Sequence, residues 1–124
     1  MKGTIMESIV QAKRVLEIFK EMSQIPRESA NEKGISDYIV NFAKNLGLEV
    51  HQDELFNVVI KKAASPGYEN RPSIILQGHI DMVCVRDHDS NHDFSKDPIA
   101  NIIEGEWMHA DHTTLGADNG MGGA

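Results

Sequence analysis

Ser73-Ile74-Ile75-Leu76-Gln77-Gly78-His79-Ile80-Asp81 carries the strongest fold signal in the chain. Three adjacent large apolar residues between polar ends are too short for a helix. They read as a central strand over Ser73 to Gln77, covered on both faces. If the chain stays extended past Gly78, His79 and Asp81 project to the same side, because strand side chains alternate with a period of two. Ahead of this run, Ala63-Ala64-Ser65-Pro66-Gly67 is turn chemistry. Earlier still, Leu48 and Val50 alternate with Glu49 and His51, and Asn57 to Lys61 holds Val58-Val59-Ile60. Two short strands joined through Asp53-Glu54 are expected there.

Two helices precede the strands. From Ser8 to Met22, Ile9, Ala12, Leu16 and Phe19 recur at helical spacing, with Val15, Ile18 and Met22 widening the stripe. Pro26 ends that helix. Ser29-Ala30-Asn31-Glu32 has the form of a capping box, so a second helix is expected from near Ala30, with Ile35, Tyr38, Ile39, Phe42, Ala43 and Leu46 as its apolar face. Gly47 supplies its left-handed end. Downstream, Arg86 to Pro98 is polar enough to be a solvated loop, and a weak strand is expected over Glu106 to Ala110. Helices first, then strands, with a buried strand feeding a polar loop, predict an α/β sandwich with chemistry at strand ends.

The 124 residues allow one modest domain, and 40% apolar with 25% charged side chains excludes collagen-like or fully disordered chains. Twelve basic against 19 acidic residues leave a net charge of -7, which repels a nucleic-acid backbone. No apolar run approaches the roughly 18 residues of a membrane span, and Met1-Lys2-Gly3-Thr4 leads into an amphipathic pattern, not a signal core. The single cysteine, Cys84, cannot form an internal disulfide and fits a reducing cytoplasm.

Four of six histidines and six of nine aspartates lie between His79 and Asp111. A neutral imidazole is a good zinc ligand, and a nearby carboxylate can accept the other ring proton and fix the tautomer. Read alone, His-x-Asp favours a hydrogen-bonded histidine at a strand end. The second constellation is Thr113-Thr114-Leu115-Gly116-Ala117-Asp118-Asn119-Gly120-Met121-Gly122-Gly123. Glycines flanking one carboxylate let the backbone approach closely, as a carboxylate presented to a metal requires. A single carboxylate can bridge two zinc ions roughly 3.5 to 4 Å apart, and Asp118 is the candidate. The alternative is a turn in which Asp118 satisfies its own backbone.

Leu76-Gln77-Gly78-His79-Ile80-Asp81-Met82-Val83-Cys84, then His92-Asp93-Phe94-Ser95-Lys96-Asp97-Pro98, then Thr113 to Gly120 resemble the aminoacyl-histidine dipeptidases, also called Xaa-His or cytosolic non-specific dipeptidases. Ile25-Pro26-Arg27, Asn31-Glu32-Lys33, Ile35 to Val40 and Asn57 to Lys62 also resemble them, so the similarity spans nearly the whole chain. The resemblance implies a cytoplasmic di-metal peptidase of the aminoacylase and carboxypeptidase clan, acting on dipeptides including Xaa-His. In it His79 binds one metal, Asp118 bridges two divalent ions, zinc with manganese or cobalt as alternatives, and Asp81 is the catalytic residue that orients His79. It further implies the N-terminal part of a zinc-peptidase-like α/β sandwich, with a mixed sheet flanked by helices and incomplete. Residues 1–124 then form a portion of the catalytic domain, truncated after the second metal motif. The family's Glu-Glu pair, which supplies general base and ligand, and its later Asp and His fall beyond Ala124. The expectation is therefore a fragment, inert alone, with uncovered apolar faces that favour marginal stability or self-association; the full-length protein is compatible with a homo-oligomer.

The chain departs from the family at His112, usually glycine, and at Gly123, usually branched and apolar, which weakens a helix expected from near Asn119. Cys84 has no orienting base beside it and reads as an ordinary buried thiol. His88 and His92 read as surface residues, Trp107 as a cover for the sheet, and Lys61-Lys62 as a solvated pair. Two alternatives stand beside the dipeptidase: a non-catalytic domain with weak metal binding or a partner, and a deacylase or carboxypeptidase of the same clan.

Overall fold

The computed structural model describes residues 2–124, with side chains from Val10 onward, so the expected stripe residue Ile9 has its side chain outside the described part. The order is α1 (Lys2–Ser23), α2 (Lys33–Asn45), β1 (Glu49–Gln52), β2 (Val58–Lys61), β3 (Asn101–Glu104), β4 (Trp107–Ala110) and α3 (Ala117–Gly123). The first helix starts six residues before the expected Ser8. Its C-terminal end is built into the fold. Phe19 and Met22 are buried, the Ser23 hydroxyl donates to the Phe19 carbonyl at 2.9 Å, and the Ser23 carbonyl accepts the Ile99 amide at 2.8 Å.

The second helix begins at Lys33, not near Ala30, and the capping box does not form. Glu32 does reach back, accepting the Ala30 amide at 2.8 Å, but the Ser29 hydroxyl donates elsewhere, to Asp81 at 2.5 Å. Ala30 takes a left-handed φ of 70, so no first helical turn follows Ser29 to present amides to its oxygen. The other end follows the expected chemistry: Gly47 has φ 70, its amide bonds to Lys44 and the Leu48 amide to Ala43, the paired bonds of a Schellman stop.

The expected pair of strands forms an antiparallel hairpin, with Val50 opposite Ile60 and Gln52 opposite Val58. Asp53 organises its turn, accepting the amides of Leu55 and Asn57 at 2.9 and 2.8 Å. The buried Ser36 hydroxyl ties α2 to this hairpin, donating to the Phe56 carbonyl at 2.8 Å and accepting from Gln52 Nε2 at 2.7 Å. The weak strand near Ala110 exists as β4, but it pairs with β3, which the sequence reading missed. Asn101-Ile102-Ile103-Glu104 is too short for a periodic signal. Trp107 is 79% exposed, so it does not cover the sheet.

Ser73 to Gln77 is not a strand here. It lies outside every ladder, and Ile74, Ile75 and Leu76 are 85%, 89% and 93% exposed. A strand needs neighbours to satisfy its backbone, and the two hairpins each pair only with themselves. The accessible surface of 9545 Å² compares with about 6,600 Å² for a compact protein of this mass. With three helices and two small antiparallel sheets among the described residues, this is an incomplete α/β domain. Among the described residues no helix is long and apolar enough to cross a membrane.

Candidate metal centre

Met82 anchors the segment that carries His79 and Asp81. Its side chain is 3% exposed, its amide donates to the Arg27 carbonyl at 3.0 Å, and it forms a parallel bridge with Glu28. This contact lays the link between α1 and α2 alongside residues 80–82. From there His79 Nδ1 meets Asp81 Oδ1 at 3.0 Å and the Asp81 carbonyl at 3.1 Å. Its Nε2 meets Asp118 Oδ1 at 3.0 Å. Asp81 Oδ2 takes the Ser29 hydroxyl, so a continuous relay runs from Ser29 through Asp81 and His79 to Asp118.

Asp118 is presented by a distorted turn. Gly116 has φ 73, and both Asp118 (φ -94, ψ 106) and Asn119 (φ -109, ψ 29) leave helical geometry, so the helix expected near Asn119 is kinked at its start. The Asp118–Asn119 peptide bond is cis. Gly78 is bare because Asn119 packs on it: a Cβ there would stand 2.2 Å from Asn119 Nδ2. Each glycine motif thus makes room for the other, and the interlock sets His79 against Asp118.

The electrostatics follow the contacts. The hydrogen bond with Asp118 raises the His79 pKa most; burial opposes it, and Asp81 adds to it. The Asp81 carboxyl is held below the usual carboxylate range, chiefly by the Ser29 hydroxyl. With Nδ1–H donating a hydrogen bond to the Asp81 carboxylate, the Nε2 lone pair of a neutral ring is left for an electrophile that Asp118 can share.

The donor chemistry suits zinc. Two ligand atoms on one tetrahedral ion stand about 3.3 Å apart, given zinc–ligand bonds of about 2.0 to 2.1 Å, close to the 3.0 Å between Nε2 and Oδ1. They make only part of a coordination shell: among the described residues no group of three or more His, Cys, Asp or Glu is gathered to hold an ion. Beside the pair lies a cleft of about 420 Å³, lined by Glu32, Ile39, Phe56, Val58, His79 and Asp81.

The remaining candidates separate. Cys84 Sγ contacts the Met82 carbonyl at 3.6 Å and burial pushes its thiol pKa up, which disfavours a thiolate nucleophile. His88 is fully exposed beside Asp89. His92 is not the surface residue expected: it is half-buried, edge-on to Phe94 with ring centroids 4.5 Å apart. His112 has a left-handed φ of 54 and bonds Asp87 Oδ2 at 2.7 Å. Lys61 is paired with Glu49 at 2.7 Å. The sequence reading missed Ser29 as a partner of Asp81 and gave Arg27 no role, because both act across more than 50 residues of chain.

No family model matches the chain. The cytosol non-specific dipeptidase of Escherichia coli is 47% identical over 106 residues, 86% of this chain and 22% of that protein. The crystal structure of aminoacylhistidine dipeptidase from Vibrio alginolyticus matches with a TM-score of 0.82 at 46% identity, covering 87% of this chain and 22% of that one. The chain resembles the N-terminal part of an aminoacylhistidine dipeptidase. A probable carboxypeptidase of Emericella nidulans is more distant, 28% identical over 83 residues, 62% of this chain and 19% of that protein. The chain thus spans about a fifth of the length of the dipeptidases and the carboxypeptidase it matches.

Proposed function

We propose that residues 1–124 are the first portion of the catalytic domain of a cytoplasmic, metal-dependent dipeptidase that hydrolyses dipeptides, Xaa-His among them. The observation that carries the reading is His79 Nε2 set 3.0 Å from Asp118 Oδ1, with Nδ1 held by Asp81. The dipeptidase relatives support it. His79 and Asp118 would hold divalent ions, two per site with Asp118 shared, zinc being the best fit to an imidazole and carboxylate set and manganese or cobalt the alternatives. When bound, such ions polarise the scissile carbonyl and make water nucleophilic at neutral pH. Asp81 accepts the Nδ1 proton and fixes the tautomer that offers Nε2. Ser29 holds Asp81 in turn, so the carboxylate does not rotate away from the ring. The distant carboxypeptidase match favours a second reading, a carboxypeptidase of the same clan.

Hydrolysis needs a general base and a fuller ligand set than the described residues gather. The 124-residue chain with added Zn²⁺ or Mn²⁺ should therefore bind metal but leave Ala-His intact. Calorimetric titration should show that binding fall in His79→Ala and in Asp118→Ala. Equal zinc binding by both variants would refute the ligand assignment, and hydrolysis by the chain alone would refute its inactivity.

A further inference from the structure

Arg27 is 2% exposed, yet among the described residues no carboxylate hydrogen-bonds its guanidinium. Its partners are backbone carbonyls: Nη2 donates to Gly116 at 2.8 Å, and Nη1 makes a longer contact to Ile80 at 3.5 Å. Its Nε has no partner among the described residues. Ile80 lies between His79 and Asp81, and Gly116 lies two residues before Asp118, so one side chain touches both halves of the candidate centre. The turn is shaped around it. A Cβ on Gly116 would stand 2.6 Å from Nη2, and one on Gly120 would stand 2.8 Å from it. Burying a cation without an ion-pair partner is unfavourable, and an apolar side chain would fill the same space with less penalty. What an apolar residue cannot supply is a planar fork that donates in two directions.

We propose that Arg27 is a positioning residue for the His79–Asp118 pair: wedged beneath the bare Gly116–Gly120 turn, its fork fixes the Asp118 segment against the His79–Asp81 segment. Its importance to a metal site rests on the reading of His79 and Asp118 as ligands. Lysine keeps the charge but concentrates its donors at one point, so Arg27→Lys removes the span and not the cation.

The test uses NMR on the whole metal-free chain. Nuclear Overhauser cross-peaks between the His79 ring and protons of Asp118 or Asn119 are expected in the parent chain. They should be lost in Arg27→Lys, while the cross-strand peaks of the Glu49–Lys61 pairing remain. Ile35→Val, which thins the core beside α2 without touching the fork, should lower the melting temperature and keep the His79 cross-peaks. Cross-peaks that persist in Arg27→Lys, or vanish equally in Ile35→Val, overturn the proposal. Should Arg27→Lys not fold, Gly116→Ala decides: it pushes the turn off an intact Arg27, and retained cross-peaks there also overturn it. Cobalt binding, read by absorption, should weaken about 10- to 100-fold in Arg27→Lys, the range for loss of a group that orients metal ligands. If cobalt binding in the parent is indifferent to His79→Ala, the metal reading fails, while the cross-peaks still decide what Arg27 does.

Discussion

Replacing Gly116 with alanine tests whether the turn that carries Asp118 is shaped by its neighbours or only by its own backbone. Gly47 provides the control. Both have a left-handed φ, 70 and 73, but a Cβ on Gly47 meets nothing within 4 Å, while one on Gly116 would stand 2.6 Å from Arg27 Nη2 and 2.8 Å from Met82 Sδ. The shared left-handed penalty for alanine is about 1 to 2 kcal/mol. Loss of glycine freedom in the unfolded chain offsets about 0.4 to 1 kcal/mol of it. Gly47→Ala should therefore cost about 1 kcal/mol. At Gly116 the added methyl must also displace two side chains that are nearly fully buried, an overpacking cost of about 1 to 3 kcal/mol, for a total of about 2 to 4 kcal/mol. Urea unfolding followed by far-UV circular dichroism measures both variants by linear extrapolation. If the two losses agree within about 0.5 kcal/mol, the spread of an ordinary surface substitution, the Arg27 and Met82 packing does not constrain the turn.

Three further outcomes are expected. Asp87 raises the His112 pKa through its hydrogen bond, so that contact's stabilisation is full below about 6.5, the unfolded histidine value, and fades as pH rises through the higher folded value. An NMR titration should show the His112 midpoint raised above the ordinary histidine value, and Asp87→Asn should lower it while Asp111 still acts on the ring; an unchanged midpoint in that variant would refute the pairing. The Asp93 carboxyl is held down to about 2, mainly by the Ser95 hydroxyl, so its contribution is present above the unfolded value of about 3.9 and lost as pH falls toward about 2. Ser95→Ala should move that titration upward, and carboxyl carbon shifts would expose a failure to move. Finally, the exposed Ile74-Ile75-Leu76 run should make the isolated chain self-associate, and Ile75→Lys should shift light-scattering mass toward the monomer; a concentration-independent monomer for the parent chain would remove the basis for this.

Local chemistry was legible wherever it was decided locally. Gly47 stops α2 because a left-handed residue is needed one step past the last turn, and the β1–β2 pairing follows from alternation around Asp53. The motifs carrying His79, Asp81 and Asp118 stood out because glycines beside charged residues are conspicuous. Reading Ser29-Ala30-Asn31-Glu32 as a capping box failed because Ala30 turns left-handed and the Ser29 hydroxyl is turned to a carboxylate 52 residues away, which is invisible in a four-residue window. Ser73 to Gln77 failed as a strand for the complementary reason: composition gives the propensity to extend, but a ladder requires a neighbour.

By itself, therefore, the sequence determined the helices, the first hairpin and the residue types of the candidate centre, since these depend on side-chain periodicity and on turn preferences within a few residues. Only the tertiary structure decided that Ser29 serves Asp81, that Arg27 lies beneath the Asp118 turn, and that the apolar run stays bare. Those outcomes depend on which distant groups the packing brings together, or leaves without a neighbour, and no window of a few residues contains both partners.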